Sequence, residues 1–132
     1  MRCLYVGIFV TMLGGVTPLQ AALRDEVQVN NGLIAVGVAL EIDAKCDTIS
    51  ARKLKGLFYL SSLKRMAGEQ GYSDAEIDAY VSDKVQKARL EAEARNYIAL
   101  KGAQGPAGVA FCAVGRAEIA QGTLAGGLLR QR

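Results

Sequence analysis

Cys46 and Cys112 are the residues of this 132-residue chain whose type and setting most directly imply chemistry. A third cysteine, Cys3, lies ahead of an apolar N-terminal run and would leave with it. The remaining pair is even in number, as suits an oxidising compartment, and reads as one long-range disulfide. Closing that loop would stabilise the fold by about 4 kcal/mol on the loop-entropy model. That is a large share of the roughly 5–15 kcal/mol typical of a small domain. The competing reading is two buried thiols packed as small hydrophobes. A redox-active pair is disfavoured, because no Cys-x-x-Cys spacing is present.

The chain holds no histidine, which removes Ser-His and Cys-His nucleophiles and imidazole ligands for zinc. Carboxylates with lysine, arginine or tyrosine partners remain. Glu41, Asp43 and Asp47 gather around Cys46 but lack the dense Asp/Asn alternation and closing Glu of a calcium loop, so they read as solvated surface. Arg116 and Glu118 sit in an otherwise apolar stretch, where a buried charge is costly unless paired. Arg52 is the partner expected for Glu118. Arg52, Arg116 and Glu118 are therefore the candidate set, either a structural polar network or part of a binding site. Glycan hydrolysis would need two carboxylates facing a cleft about 5–9.5 Å apart, and Glu118 with Glu41 is the pair to nominate. The sequence assigns no catalytic residue, no metal ligand and no cofactor.

The elements that must position these groups follow an export signal. Met1-Arg2-Cys3 precedes an uncharged run from Leu4 to Val16, then Thr17-Pro18-Leu19-Gln20-Ala21-Ala22. One positive charge, an apolar stretch and small residues beyond a helix breaker make residues 1–21 a secretory signal peptide, with cleavage expected between Ala21 and Ala22. A retained anchor is the alternative, although Gly14, Gly15, Pro18 and Gln20 spoil the run as a span. Cleavage leaves one domain, residues 22–132, in the periplasm. Lysine and arginine number 16 against 13 acidic residues, a formal charge of +3, and losing Arg2 brings the mature part nearer neutrality. That balance has no nucleic-acid footprint and no membrane-lytic one. The expected partner is another periplasmic protein; a membrane is contacted only if the signal segment stays as an anchor.

The domain reads as all-α, a small bundle of about four helices stapled by the disulfide. The first spans about Val27 to Cys46, with Leu33, Ile34, Val38 and Ile42 on one face. Val36 to Asp43 also alternates like a strand, but no second strand is evident to pair with it. The second starts at Ser50 as its cap and ends near Gly68 or Gly71. Leu54, Leu57, Phe58, Leu60 and Leu63 make it apolar over a wide arc, which predicts a central position. In the third, Ser73 and Glu76 form a capping box and Tyr72 with Ile77 a hydrophobic staple. It runs to Lys101 with an inner stripe of Ile77, Val81, Val85, Ala88 and Ala92, and with Asp83–Lys87 and Glu91–Arg95 pairs outside. Gly102 to Gly108 is a surface loop without the features of a phosphate-binding one. The fourth helix spans about Val109 to Leu129. Its stripe of Cys112, Gly115, Ile119, Gly122 and Gly126 allows close approach and aims Cys112 at Cys46.

Three segments carry a resemblance: CDTISAR (Cys46 to Arg52), GYS (Gly71 to Ser73) and FCAVGRAEIA (Phe111 to Ala120). Together they resemble a family of small exported alphaproteobacterial proteins known only as a domain of unknown function. The resemblance covers nearly all of the mature chain and implies no activity. The expectation is an exported periplasmic protein that is not an enzyme but a binding or partner module, or a small chaperone. A carboxylate-dependent hydrolase acting on cell-wall glycan is the alternative.

Overall fold

A computed structural model describes residues 18–106 and 108–132. The apolar run from Leu4 to Val16 lies outside them, and the expected cut after Ala21 falls within the first helix, α1 (Pro18–Asp25). The ambiguous segment that follows is helical. In α2 (Val27–Lys45), Ala35, Val38, Ala39 and Ile42 are buried at three- and four-residue steps, so helical periodicity prevails over the local alternation. Ile42 anchors the main core with Ile98, Phe111, Val114 and the disulfide corner. No described helix is long and apolar enough to cross a membrane.

Ser50 does not cap a helix. It lies in β1 (Ile49–Ala51), which pairs antiparallel with β2 (Leu129–Gln131) in the register Ile49 to Gln131, Ser50 to Arg130 and Ala51 to Leu129. A free two-stranded ribbon is marginal. Here Ile49 and Leu129 are buried in the core beneath it. The fold is thus seven helices with one small ribbon among the described residues, and not a bundle of about four helices alone.

The second helix, α3 (Lys53–Glu69), is not central. Leu63 and Ala67 are its buried residues, while Leu54, Leu57 and Phe58 are 67%, 62% and 69% exposed. The wide apolar arc is real, but α2 takes only one side of it. Leu63 comes so close that a Cβ added at Gly32 of α2 would lie 2.5 Å from its side chain.

The expected long third helix is two. The capping box at Ser73 starts α4 (Asp74–Ser82), and Tyr72 and Ile77 join one apolar cluster with Leu23 and Tyr80. Asp83 then breaks the helix: its carboxylate accepts from the backbone N–H groups of Val85 and Gln86, both at 2.9 Å, and starts α5 (Lys84–Leu100). An aspartate satisfies helix-starting amides better than it continues a helix. The break also changes the stripe. Val81 and Val85 are exposed, and Ala94 and Ile98 bury α5 instead. Asp83 acts as a cap and not as a partner of Lys87, and the Glu91–Arg95 pair does not form among the described ion pairs either.

The fourth helix is also divided. Gly122, at φ 63°, ends α6 (Val109–Gln121), and Thr123 caps the short α7 (Leu124–Gly127). Gly115 serves the close approach that the pattern predicts, since a Cβ there would lie 2.6 Å from Ile49 and 2.9 Å from Ile42. Cys46 and Cys112, 66 residues apart, form the disulfide with their Cα atoms 5.1 Å apart, pinning the end of α2 to α6.

Candidate functional site

Glu118 is buried, as its place in an apolar helix suggests, but its partners are not those expected. Lys101 Nζ donates to one carboxylate oxygen and Thr123 Oγ1 to the other. The Tyr97 hydroxyl lies 3.1 and 3.0 Å from the two oxygens. Glu118 is 0% exposed, whereas the Lys101 side chain is 32% exposed. Burial pushes the Glu118 carboxyl up, but hydrogen bonds from Lys101, Thr123 and Tyr97 outweigh it and hold the carboxyl below its usual range. The same bond from Lys101 to Glu118 raises the lysine. Thr123 Oγ1 also accepts from the Gly126 N–H at 3.0 Å, so one carboxylate ties α5, α6 and α7 together.

The structure does not bring Arg52, Arg116 and Glu118 into one network. Arg116 is exposed and makes no ion pair among the described residues. Glu41 is paired with Lys45 at 2.6 Å and lines a hollow with Arg95 and Phe111 whose wall does not include Glu118. Both carboxylates nominated for hydrolysis are therefore engaged elsewhere, Glu118 away from solvent. Among the described residues, no group of three or more Cys, Asp or Glu side chains is placed to hold a metal ion.

Arg52 stands at the start of α3, on an open cleft of about 780 Å³ beside the ribbon. Lys53, Lys55, Arg130 and Arg132 join it there, with Asp43 the acidic residue of the lining. Asp43 is taken by Arg132 at 3.2 Å. Arg52, Lys53 and Lys55 have no ion-pair partner among the described residues, and no side chain caps the helix they begin. Cations at the positive end of a helix are unfavourably placed. The modest overall formal charge of +3 gave no sign of this local excess.

Two apolar hollows continue from the cleft along α3. The first, about 350 Å³, shares Arg52 and Lys53 with the cleft and is walled by Val36, Leu40, Leu57, Leu60 and Leu128. The second, about 390 Å³, shares Leu57 and Leu60 with the first and continues past Leu33, Ile77 and Val81. A groove with a cationic mouth and apolar walls thus follows the side of α3.

A family model described as a family of unknown function (DUF5333) matches residues 21–130. The chain belongs to DUF5333. Neither the curated proteins nor the solved structures include a match to it. In this DUF5333 domain the three sequence segments noted above fall at the disulfide corner with β1, at the α4 cap, and along α6 through Glu118. The matched residues contain the groove and, apart from Arg132, the basic residues of its mouth.

One polar network of the DUF5333 domain went unrecognised in its sequence. Asn30, 6% exposed, donates from its amide to the carbonyls of Leu23, Arg24 and Glu26 at 2.9–3.1 Å. Its oxygen accepts from Tyr80 at 2.7 Å and from Arg89 at 3.1 Å. This ties the α1–α2 turn to α4 and α5. An asparagine directly after Val29, within the buried face of α2, was the available signal; its partners lie 50 and 59 residues away.

Proposed function

We propose that this protein is an exported, non-catalytic binding module of the periplasm, and that the groove along α3 is its recognition surface. The observation that carries this reading is the exposure of Leu57 on the groove wall and of Leu54 and Phe58 on the cleft at its mouth. Adjoining apolar groups left in water on a small domain mark a contact surface. The engagement of Glu118 and Glu41 in ion pairs and the lack of histidine support a role without catalysis. The reading of export rests on the N-terminal sequence, and an alphaproteobacterial source on the resemblance of the three segments. A small chaperone is the variant of this reading in which many unfolded chains share the same surface.

Affinity capture from periplasmic extract tests it, with the oxidised protein and its Leu57→Asp variant as parallel baits. The expected result is a reproducible partner on the first bait that is absent from the second. A broad set of unrelated clients in place of one partner would indicate the chaperone variant. Identical retention by both baits, or none by either, would contradict the assignment of the groove.

A further inference from the structure

The groove differs from an ordinary apolar contact surface in having a charged end. The cleft at its mouth is lined by Arg52, Lys53, Lys55, Arg130 and Arg132, with Asp43 as the acidic side chain, which Arg132 pairs with; Arg52 and Lys53 also line the first apolar section. The first turn of α3 carries no acidic residue and receives no side-chain cap. An anion placed there would meet Arg52, Lys53 and Lys55, which have no ion-pair partner among the described residues, together with the positive end of a helix. Beyond the mouth, the walls change to Val36, Leu40, Leu57 and Leu60, then to Leu33, Ile77 and Val81. The helix rises about 1.5 Å per residue, so the wall from Lys53 to Ala67 is about 21 Å long. Its two apolar sections enclose about 350 and 390 Å³.

We infer that the groove binds a single-chain anionic amphiphile, with the acidic headgroup at the Arg52–Lys53 mouth and the alkyl chain laid along α3 past Leu57 and Leu60. This rests on the reading of the groove as a recognition surface and specifies its ligand class. Charge complementarity selects the headgroup, because Arg52 and Lys53 at the mouth have no ion-pair partner among the described residues, whereas Lys64 in the far section is paired with Asp78 and Asp74. The length and apolar character of the walls select the chain. A carboxylate and a phosphate share the chemistry that the mouth recognises, since arginine meets either with paired N–H donors.

The test is calorimetric titration of the oxidised protein with dodecanoate, dodecyl phosphate and dodecyltrimethylammonium, each below its micelle-forming concentration. Wild-type protein, Arg52→Glu and Leu57→Asp are compared, both substitutions being on exposed side chains. The expected result is one-site binding of at least one anionic probe, at least tenfold tighter than the cationic one. The preference of the two anionic probes identifies the headgroup. Arg52→Glu should remove at least tenfold of that charge discrimination, and Leu57→Asp should weaken both anionic probes by at least tenfold. Equal binding of anionic and cationic probes, binding unaltered by both substitutions, or no binding of either anion would overturn the inference. If the anions fail while a protein is still captured through Leu57, the ligand class is wrong and the recognition surface stands. If capture fails as well, both are wrong.

Discussion

Arg52 and Leu57 line the same groove of about 350 Å³, one at its cationic mouth and the other on its apolar wall. They are five residues apart on the chain and both are exposed. Their juxtaposition gives α3 a surface that is attractive to charge at one end and to apolar groups along its side, without either being required by the core.

Leu57→Asp should therefore leave the fold intact. With Leu57 62% exposed, its removal creates no closed cavity, and the stability change should stay within about 0.5 kcal/mol. Urea unfolding followed by circular dichroism measures it. A loss above about 2 kcal/mol would place Leu57 in the core.

The two ends of the Glu118–Lys101 pair should not be equivalent. Lys101→Met leaves the carboxylate in its buried place with only Tyr97 and Thr123, and should cost about 3 kcal/mol. Glu118→Gln keeps an acceptor and frees a lysine that already reaches water, and should cost about 1–2 kcal/mol. Urea unfolding at neutral pH orders the two. A greater loss from Glu118→Gln would contradict the assignment of Glu118 as the buried charge that needs its partner.

The same pair sets opposite pH limits. The Glu118 carboxyl is held below its usual range, so its contribution is complete above the unfolded pKa and is lost as pH falls through the folded one. Lys101 is raised, so its contribution is complete below the ordinary lysine pKa and is lost as pH rises through the raised one. Stability should decline at both extremes, and Glu118→Gln should flatten both slopes. Thermal melts across the pH range check this; unchanged slopes in the variant would assign them to other groups.

Gly126 and Gly127 should respond differently to alanine. A Cβ at Gly126 would run into the Glu118 backbone carbonyl, whereas at Gly127 the nearest atom is Lys55 Nζ at 3.9 Å. Gly126→Ala should cost about 3 kcal/mol or more through displacement of α7, and Gly127→Ala should stay within about 0.5 kcal/mol. Melting temperatures of the two variants decide it.

The sequence made local features legible where a single side chain imposes them. The Ser73–Glu76 capping box needed only spacing to be read, the disulfide followed from the expectation of export, and Gly115 behaves as its stripe suggests. Asp83 was a cap hidden inside an otherwise helical pattern; its side chain won against continuation because it could satisfy two amides at once. The ribbon escaped notice because β1 and β2 are three residues each and meet across about eighty residues of chain, where no periodicity can develop. The sequence points to a buried charge at Arg116 or Glu118 without choosing between them; Glu118 is the buried one, and its partners lie on α5 and beyond the end of α6, which only the tertiary fold brings together. The apolar arc of α3 was visible as composition. That it faces water could not be seen, since the sequence shows how much apolar surface a helix has and not how much of it the neighbouring helices cover.

The central claim is that the native protein holds an open apolar groove with a cationic end. The most direct measurement is the fluorescence of anilinonaphthalene sulfonate, an apolar anionic dye, added to the native oxidised protein at neutral pH. The account predicts saturable enhancement with one site in the wild type, and its loss in Leu57→Asp at unchanged melting temperature. No enhancement with the native protein, or equal enhancement in the variant, would contradict it.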